Sequence, residues 1–219
     1  MRILTPLEAR VLGVLVEKRA TVPDTYPLSL NALVAGCNQK TARAPVIEAT
    51  EAEVLSAVDG LKSLSLAFEG SGARVVRYEH NLGRVLGLPG QSVALLAVLM
   101  LRGPQTSAEL RLNCERLHRF ADISSVEGFL EELAAKAEPM ALKLARAPGE
   151  REARWAHLLC GAVAQPAARA AGALGEDPGA FDVSAGELAA IKAEQLRLAG
   201  EVAELKALVQ RLAGELGIS

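Results

Sequence analysis

Hydrophobic spacing along the chain changes period in a fixed order, and the order occurs twice. Leu7, Val11, Leu12, Val14 and Leu15 recur at helical intervals after Thr5-Pro6, and Glu8 completes a capping box with Thr5. This predicts a first helix ending near Lys18. Two prolines between Thr21 and Pro27 predict an extended connector. Ser29 then caps a short second helix with Leu30, Leu33 and Val34 inside, ending near Cys37. Residues 38–49 are polar, basic and Pro-containing, and read as a loop. Thr50-Glu51-Ala52-Glu53 is another capping box, with Val54, Leu55, Val58 and Leu61 as the core face of a third helix. The period then falls to two: Leu64, Leu66 and Phe68 alternate, Gly70-Ser71-Gly72 turns, and Val76 and Tyr78 return.

Residues 81–90 are Gly-rich and join this half to a second with the same order. A very apolar helix covers Ser92 to Leu101 and is closed by Gly103-Pro104. Thr106 and Glu109 box a helix running to about Leu117. Ser124 and Glu127 box a third, with Val126, Phe129, Leu130 and Leu133 inside. Met140, Leu142 and Leu144 alternate, Pro148-Gly149 turns, and Trp155 comes back. The two return strands share a motif. Arg74-Val75-Val76-Arg77-Tyr78-Glu79-His80 and Arg151-Glu152-Ala153-Arg154-Trp155-Ala156-His157 both read Arg-x-x-Arg-aromatic-x-His. Three helices followed by a hairpin, used twice, predict an α+β, mostly helical chain of two tandem winged-helix domains, at 1–83 and 84–160.

Residues 161–183 shift to Ala, Gly and Pro without a period, which predicts a flexible linker. From 184 to 217 a heptad repeat takes over. Leu188, Val202 and Val209 occupy a, with Gln195 filling one a position; Ile191, Leu198, Leu205 and Leu212 occupy d. Glu187 and Glu201 at g face Lys192 and Lys206 at the following e. This pairing predicts a parallel coiled-coil homodimer. The alternative is a helix that folds back on its own second domain.

Composition narrows the function classes. Of 219 residues, 50% are hydrophobic but only 3% aromatic, so the cores are aliphatic and suit helices. A net charge of −2 gives no global pull toward nucleic acid or an anionic membrane. Cys37, Cys114 and Cys160 are scattered and odd in number, which predicts neither a disulfide framework nor a zinc site, and points to a reducing, cytoplasmic setting. The longest apolar run, Val93 to Leu101, is too short to span a bilayer. No catalytic, cofactor or phosphate-loop motif is present, and His80, His118 and His157 are dispersed, so no enzyme is expected.

A winged helix that reads DNA places its third helix in the major groove. Both third helices are acidic here: Glu51, Glu53 and Asp59 against Lys62, and Glu127, Glu131, Glu132 and Glu138 against Lys136. Gly60 and Gly128 also interrupt them, where another backbone could approach closely. Basic residues lie instead in the loop before the third helix and on the wings. Asn38, Gln39, Lys40 and Arg43, with Arg74, Arg77, Arg146, Arg151 and Arg154, are the candidate contacts to double-stranded DNA or another partner. Two structural alternatives stand beside this. Asn38 caps the second helix, and the wing arginines pair with Glu79, Glu150 or Glu152. Two function classes follow: a DNA-linked regulator acting as a coiled-coil dimer, or a protein-interaction scaffold docking through the acidic third helices.

The segments Tyr26–Asn31, Cys37–Val46, Leu101–Thr106 with Glu109-Leu110-Arg111, and Leu144–Glu152 resemble the YceH-like family of bacterial proteins. The resemblance covers roughly Leu4 to Gly161. It implies two winged-helix domains and carries no assigned activity. Ala44 stands where that family carries an acidic residue, so a salt bridge from this position is not expected. The linker and the heptads lie outside the resemblance.

Overall fold

Capping boxes start three of the helices. Thr5 accepts from Glu8 N–H while Glu8 accepts from Thr5 N–H, and the same exchange joins Thr50 with Glu53 and Thr106 with Glu109. In the computed structural model, residues 2–70, 75–146, 150 and 152–163 are described. Their elements are α1 (Pro6–Thr21), β1 (Leu28–Ser29), α2 (Leu30–Cys37), α3 (Glu51–Ser63), β2 (Ala67–Gly70), β3 (Arg77–His80), α4 (Leu82–Leu86), α5 (Gly90–Arg102), α6 (Ser107–Asn113), α7 (Ile123–Ala134), β4 (Ala141–Lys143) and β5 (Trp155–His157). The chain is an α+β protein of helices with small antiparallel sheets. The expected linker beyond residue 163 and the heptads, including Leu188, Ile191, Leu198, Val202, Leu205, Val209 and Leu212, lie outside the described residues.

The first sheet has the order β1-β3-β2, with Leu28 opposite Tyr78 and Phe68 opposite Glu79. The second pairs β4 with β5, Leu142 opposite Ala156. An isolated bridge between Gln105 and Trp155 adds a third edge, where β1 lies in the first sheet. β4 and β5 stand where Met140, Leu142 and Leu144 alternate and where Trp155 returns, whereas β1, two residues long, is too short for any hydrophobic period to reveal.

Several expected boundaries move. α1 continues to Thr21, whose hydroxyl donates to Glu17 O, 3.0 Å. α6 stops at Asn113. α7 is capped by Asp122, not by the Ser124–Glu127 box. The Asp122 carboxylate accepts from Ser125 N–H at 2.7 Å and from both serine hydroxyls, and these hydrogen bonds hold its pKa at about 2. The inner faces are also narrower than the spacing implied: Leu55, Phe68 and Val76 are exposed, while Leu66, Ala67 and Tyr78 are buried.

The two halves share one core. α1 and α5 lie side by side, each buried around most of its circumference, from Glu8 to Val16 and from Ser92 to Leu101. Gly13 is the point of closest approach: a Cβ there would sit 3.0 Å from Leu101 Cγ. Backbone bonds cross as well, from Leu4 N–H to Leu159 O and from Ala44 N–H to Leu101 O, both 2.8 Å. The expected division at 83/84 falls inside α4, whose Leu82 is fully buried.

The two interrupting glycines turn out to differ. A Cβ on Gly60 would overlap Glu8 Oε1, which is engaged with Arg2 at 2.6 Å in the α1 capping site. A Cβ on Gly128 would meet nothing within 4 Å. Gly60→Ala is therefore expected to destabilise by about 1–2 kcal/mol despite the better helix propensity of Ala. Gly128→Ala is expected to stabilise by about 0.5–1 kcal/mol. Urea melts of the pair check this, and shifts of the same sign would refute the assignment.

Candidate functional site

The loop between α2 and α3 is tied down from within. Asn38 bonds Ala49 at both ends of its amide: Nδ2 donates to Ala49 O and Oδ1 accepts from Ala49 N–H, each 2.8 Å. Gln39 donates to Thr41 O at 3.1 Å and accepts weakly from Lys18 and Arg43. Arg43 is the largest departure from expectation. Its side chain is 0% exposed and makes a two-pronged ion pair with Glu17, at 2.6 and 3.1 Å. Its Nε also donates to Gly36 O at 3.0 Å, at the C-terminal turn of α2. Arg10, on α1, donates to Cys37 O and Pro45 O. Two cations thus complete the carbonyl end of α2, where the helix dipole favours positive charge. Arg43 is a structural clamp, not a surface contact. Of the four expected contacts in this loop, Lys40 alone is exposed.

The Arg-x-x-Arg-aromatic-x-His motif of the return strands resolves the same way. Arg77 donates to Thr25 O at 3.2 Å and Pro27 O at 2.8 Å. Its counterpart Arg154 donates to Pro104 O at 3.3 Å and pairs with Glu109 at 3.0 Å and Glu150 at 3.3 Å. Each arginine ties its return strand to the proline-containing segment ahead of the middle helix. The aromatic that follows, Tyr78 or Trp155, is buried. The shared motif therefore helps to build the fold, with both Arg77 and Arg154 engaged within the chain. Arg74 and Arg151 lie outside the described residues. Arg146 is exposed, and Lys143 lies over the Trp155 ring, 5.4 Å from its centre.

His80 and His157 end the two return strands. Burial, with the Arg19 charge added at His80, pushes both down to about 4, so both are neutral at pH 7. Burial raises the Cys37 thiol to about 11 and Cys114 to about 12, which removes both as nucleophiles. Among the described residues no His, Cys, Asp and Glu cluster could hold a metal ion, and no helix is long and apolar enough to cross a membrane.

The outward faces of the third helices are acidic in space as well as in sequence. Glu51, Leu55 and Asp59 are exposed on α3; Glu131 and Glu132 are exposed on α7. Lys62 is occupied by Glu69 at 2.7 Å and Asp59 at 3.3 Å, so it adds no free positive charge to α3.

The family described as "Protein of unknown function, DUF480" matches residues 4–150. The chain belongs to this family. It is similar to a UPF0502 protein of Leptothrix cholodnii, 68% identical over 193 residues, which cover 88% of this chain and 86% of that one. A UPF0502 protein of Burkholderia cenocepacia is 66% identical over 199 residues, covering 91% and 83%. The membership expected from the segments between Tyr26 and Glu152 is thus established. Both matches are longer than the family match, so they take in residues beyond 150.

Glu17 and Arg10 were the residues that sequence reasoning missed. Arg10 carried a signal, a cation inside an otherwise apolar helical face. Glu17 carried none, because its partner is 26 residues away.

Proposed function

We propose that the chain is a non-enzymatic tandem winged-helix protein that docks another protein through the outward faces of α3 and α7. In this reading the order α1-β1-α2-α3-β2-β3 is one winged helix. The series α5, the Gln105 bridge, α6, α7, β4 and β5 is its copy. One observation carries the docking reading: the helices that would enter a DNA groove are acidic, while Arg43, Arg77 and Arg154 are engaged internally. Carboxylates held near phosphate oppose binding, and bound guanidiniums add nothing to counterion release. Exposed Leu55 gives the acidic face an apolar centre. The heptads of residues 184–217 make the protein a homodimer and so present each face twice.

A second reading, a DNA-linked regulator, is favoured by exposed Lys40 and Arg146. One series separates the two. A photo-crosslinking residue at position 55 or 131 should give protein adducts in the source cell, and one at position 40 should not. Duplex binding at about 50 mM salt should be absent or independent of salt. Adducts confined to position 40, or a steep salt dependence, would overturn the docking reading. For the dimer, light scattering should give two chains for the whole protein and one for a chain cut after Val183.

A further inference from the structure

A cleft of about 450 Å³ opens between the last turn of α1, α4 and the first turn of α5. Its walls carry Arg19, Arg84, His80 and Gly90, and its floor includes Val16 and Val93; no carboxylate lines it. Arg19 and Arg84 are both exposed, and neither belongs to an ion pair among the described residues. α5 begins at the same place. Its N-cap is Pro89, no side chain caps it, and its first internal bond runs from Val93 N–H to Pro89 O. The earlier amides, including that of Gly90, are thus left without a helical acceptor at the positive end of a 13-residue helix. A Cβ on Gly90 would meet nothing within 4 Å, so the space over this turn is open. The nearby carbonyl end of α1 is partly neutralised, since Lys18 O and Glu17 O accept from Val22 N–H and the Thr21 hydroxyl. His80 Nδ1 is buried without a partner.

Two free guanidiniums and an uncapped helix start line one concave, acid-free site with an apolar floor, and His80, whose ring meets Tyr26 edge-on, stands in its wall. We propose that this cleft binds a small phosphate monoester, with the phosphate between Arg19, Arg84 and the Gly90 turn and an apolar body over Val16 and Val93. A dianion suits two cations and a helix N-terminus. The size of the cleft lies in the range of small-molecule sites. This inference does not depend on the docking reading, which concerns the opposite acidic faces of α3 and α7 by charge.

The test uses the full chain and phenyl phosphate as probe, with calorimetry and the His80 imidazole resonances as readouts. Saturable 1:1 binding is expected, with the His80 signals moving because the probe's charge and ring lie beside the imidazole in the cleft wall. Arg19→Ala and Arg84→Ala should each weaken binding about ten-fold. Gly90→Asp, which places a carboxylate at the helix start, should abolish binding while keeping or raising the melting temperature. Lys40→Ala should change nothing. Phenol should not bind, and inorganic phosphate should compete. The proposal is overturned by failure to saturate at millimolar probe, by equal losses in Lys40→Ala and Arg84→Ala, or by a His80 signal that stays in place. Displacement by a short DNA duplex at equal phosphate concentration would assign the cleft to a nucleic-acid backbone and equally overturn it.

Discussion

Replacing Arg43 with alanine is expected to cost about 3–5 kcal/mol, roughly a fifth or more of the stability of an ordinary domain. The guanidinium is fully buried and Glu17 is only 16% exposed. Removing the cation leaves a desolvated carboxylate with only Lys18, at 3.4 Å, takes the donor from Gly36 O, and frees the loop that leads into α3. Urea unfolding at neutral pH measures the loss. In a double-mutant cycle with Glu17→Gln the two losses should be strongly less than additive, because each single change already breaks the pair. A loss within about 0.5 kcal/mol would show that the pair does not clamp the fold.

Acid titration gives the same claim a sign. Burial pushes the Glu17 carboxyl up, but Arg43 and then Lys18 more than offset it, leaving it below its ordinary 4.5. A carboxyl lowered in the folded state contributes stability above its unfolded value and loses it as pH falls through the folded one. This component should vanish in the Arg43→Ala protein. The histidines act in a different window. His80 and His157 are lowered from 6.5 to about 4, so both folded and unfolded forms are neutral above 6.5. As pH falls from 6.5 toward 4 the unfolded chain gains protons first, and stability declines. Acid unfolding should therefore proceed in two stages, and only the lower one should depend on Arg43.

Trp155→Ala is expected to cost about 3–5 kcal/mol by leaving a cavity beneath the second sheet. The indole is 2% exposed, and its strand residue exchanges backbone hydrogen bonds with Gln105 at 2.7 and 3.0 Å. Trp155→Phe should cost much less, under about 1.5 kcal/mol, because it keeps the ring and sheds a buried Nε1–H that has no partner. Trp155 is the only tryptophan, so circular dichroism rather than fluorescence must follow these melts. A costly phenylalanine variant would mean that the indole N–H has a partner in solution.

The parts of this fold that could be read from the sequence are those whose chemistry closes within four residues. The boxes at Thr5, Thr50 and Thr106 are of this kind, as is Ser29 at the start of α2. The α7 start fails for a specific reason. Ser124-x-x-Glu127 has the right form, but Glu127 accepts from the Ser107 hydroxyl, 20 residues away, and Asp122 caps in its place. The internal partners of Arg43 and Arg154 were not legible for the same reason at longer range. A loop arginine and a wing arginine look available until Glu17 and Glu109 are brought beside them by packing. Gly60 shows the converse: its lack of a side chain serves Glu8, 52 positions earlier, and no local pattern announces it. The alternation of Leu64, Leu66 and Phe68 located a strand but placed it slightly early, because Ala67 packs inward at the strand start and Phe68 faces out.

The pairing of α1 with α5 also sets a schedule for synthesis. α1 leaves the ribosome roughly 80 residues before α5 is finished, a delay on the order of 4–16 s at ordinary elongation rates. Through that interval Val11, Leu15 and their neighbours have no α5 to cover them, while the other elements of the first half are still being added one by one. The nascent first half is thus a natural client for a chaperone that shields aliphatic stripes. Codon changes that slow translation between residues 82 and 102 should lower the soluble yield more than equal delays placed after residue 160.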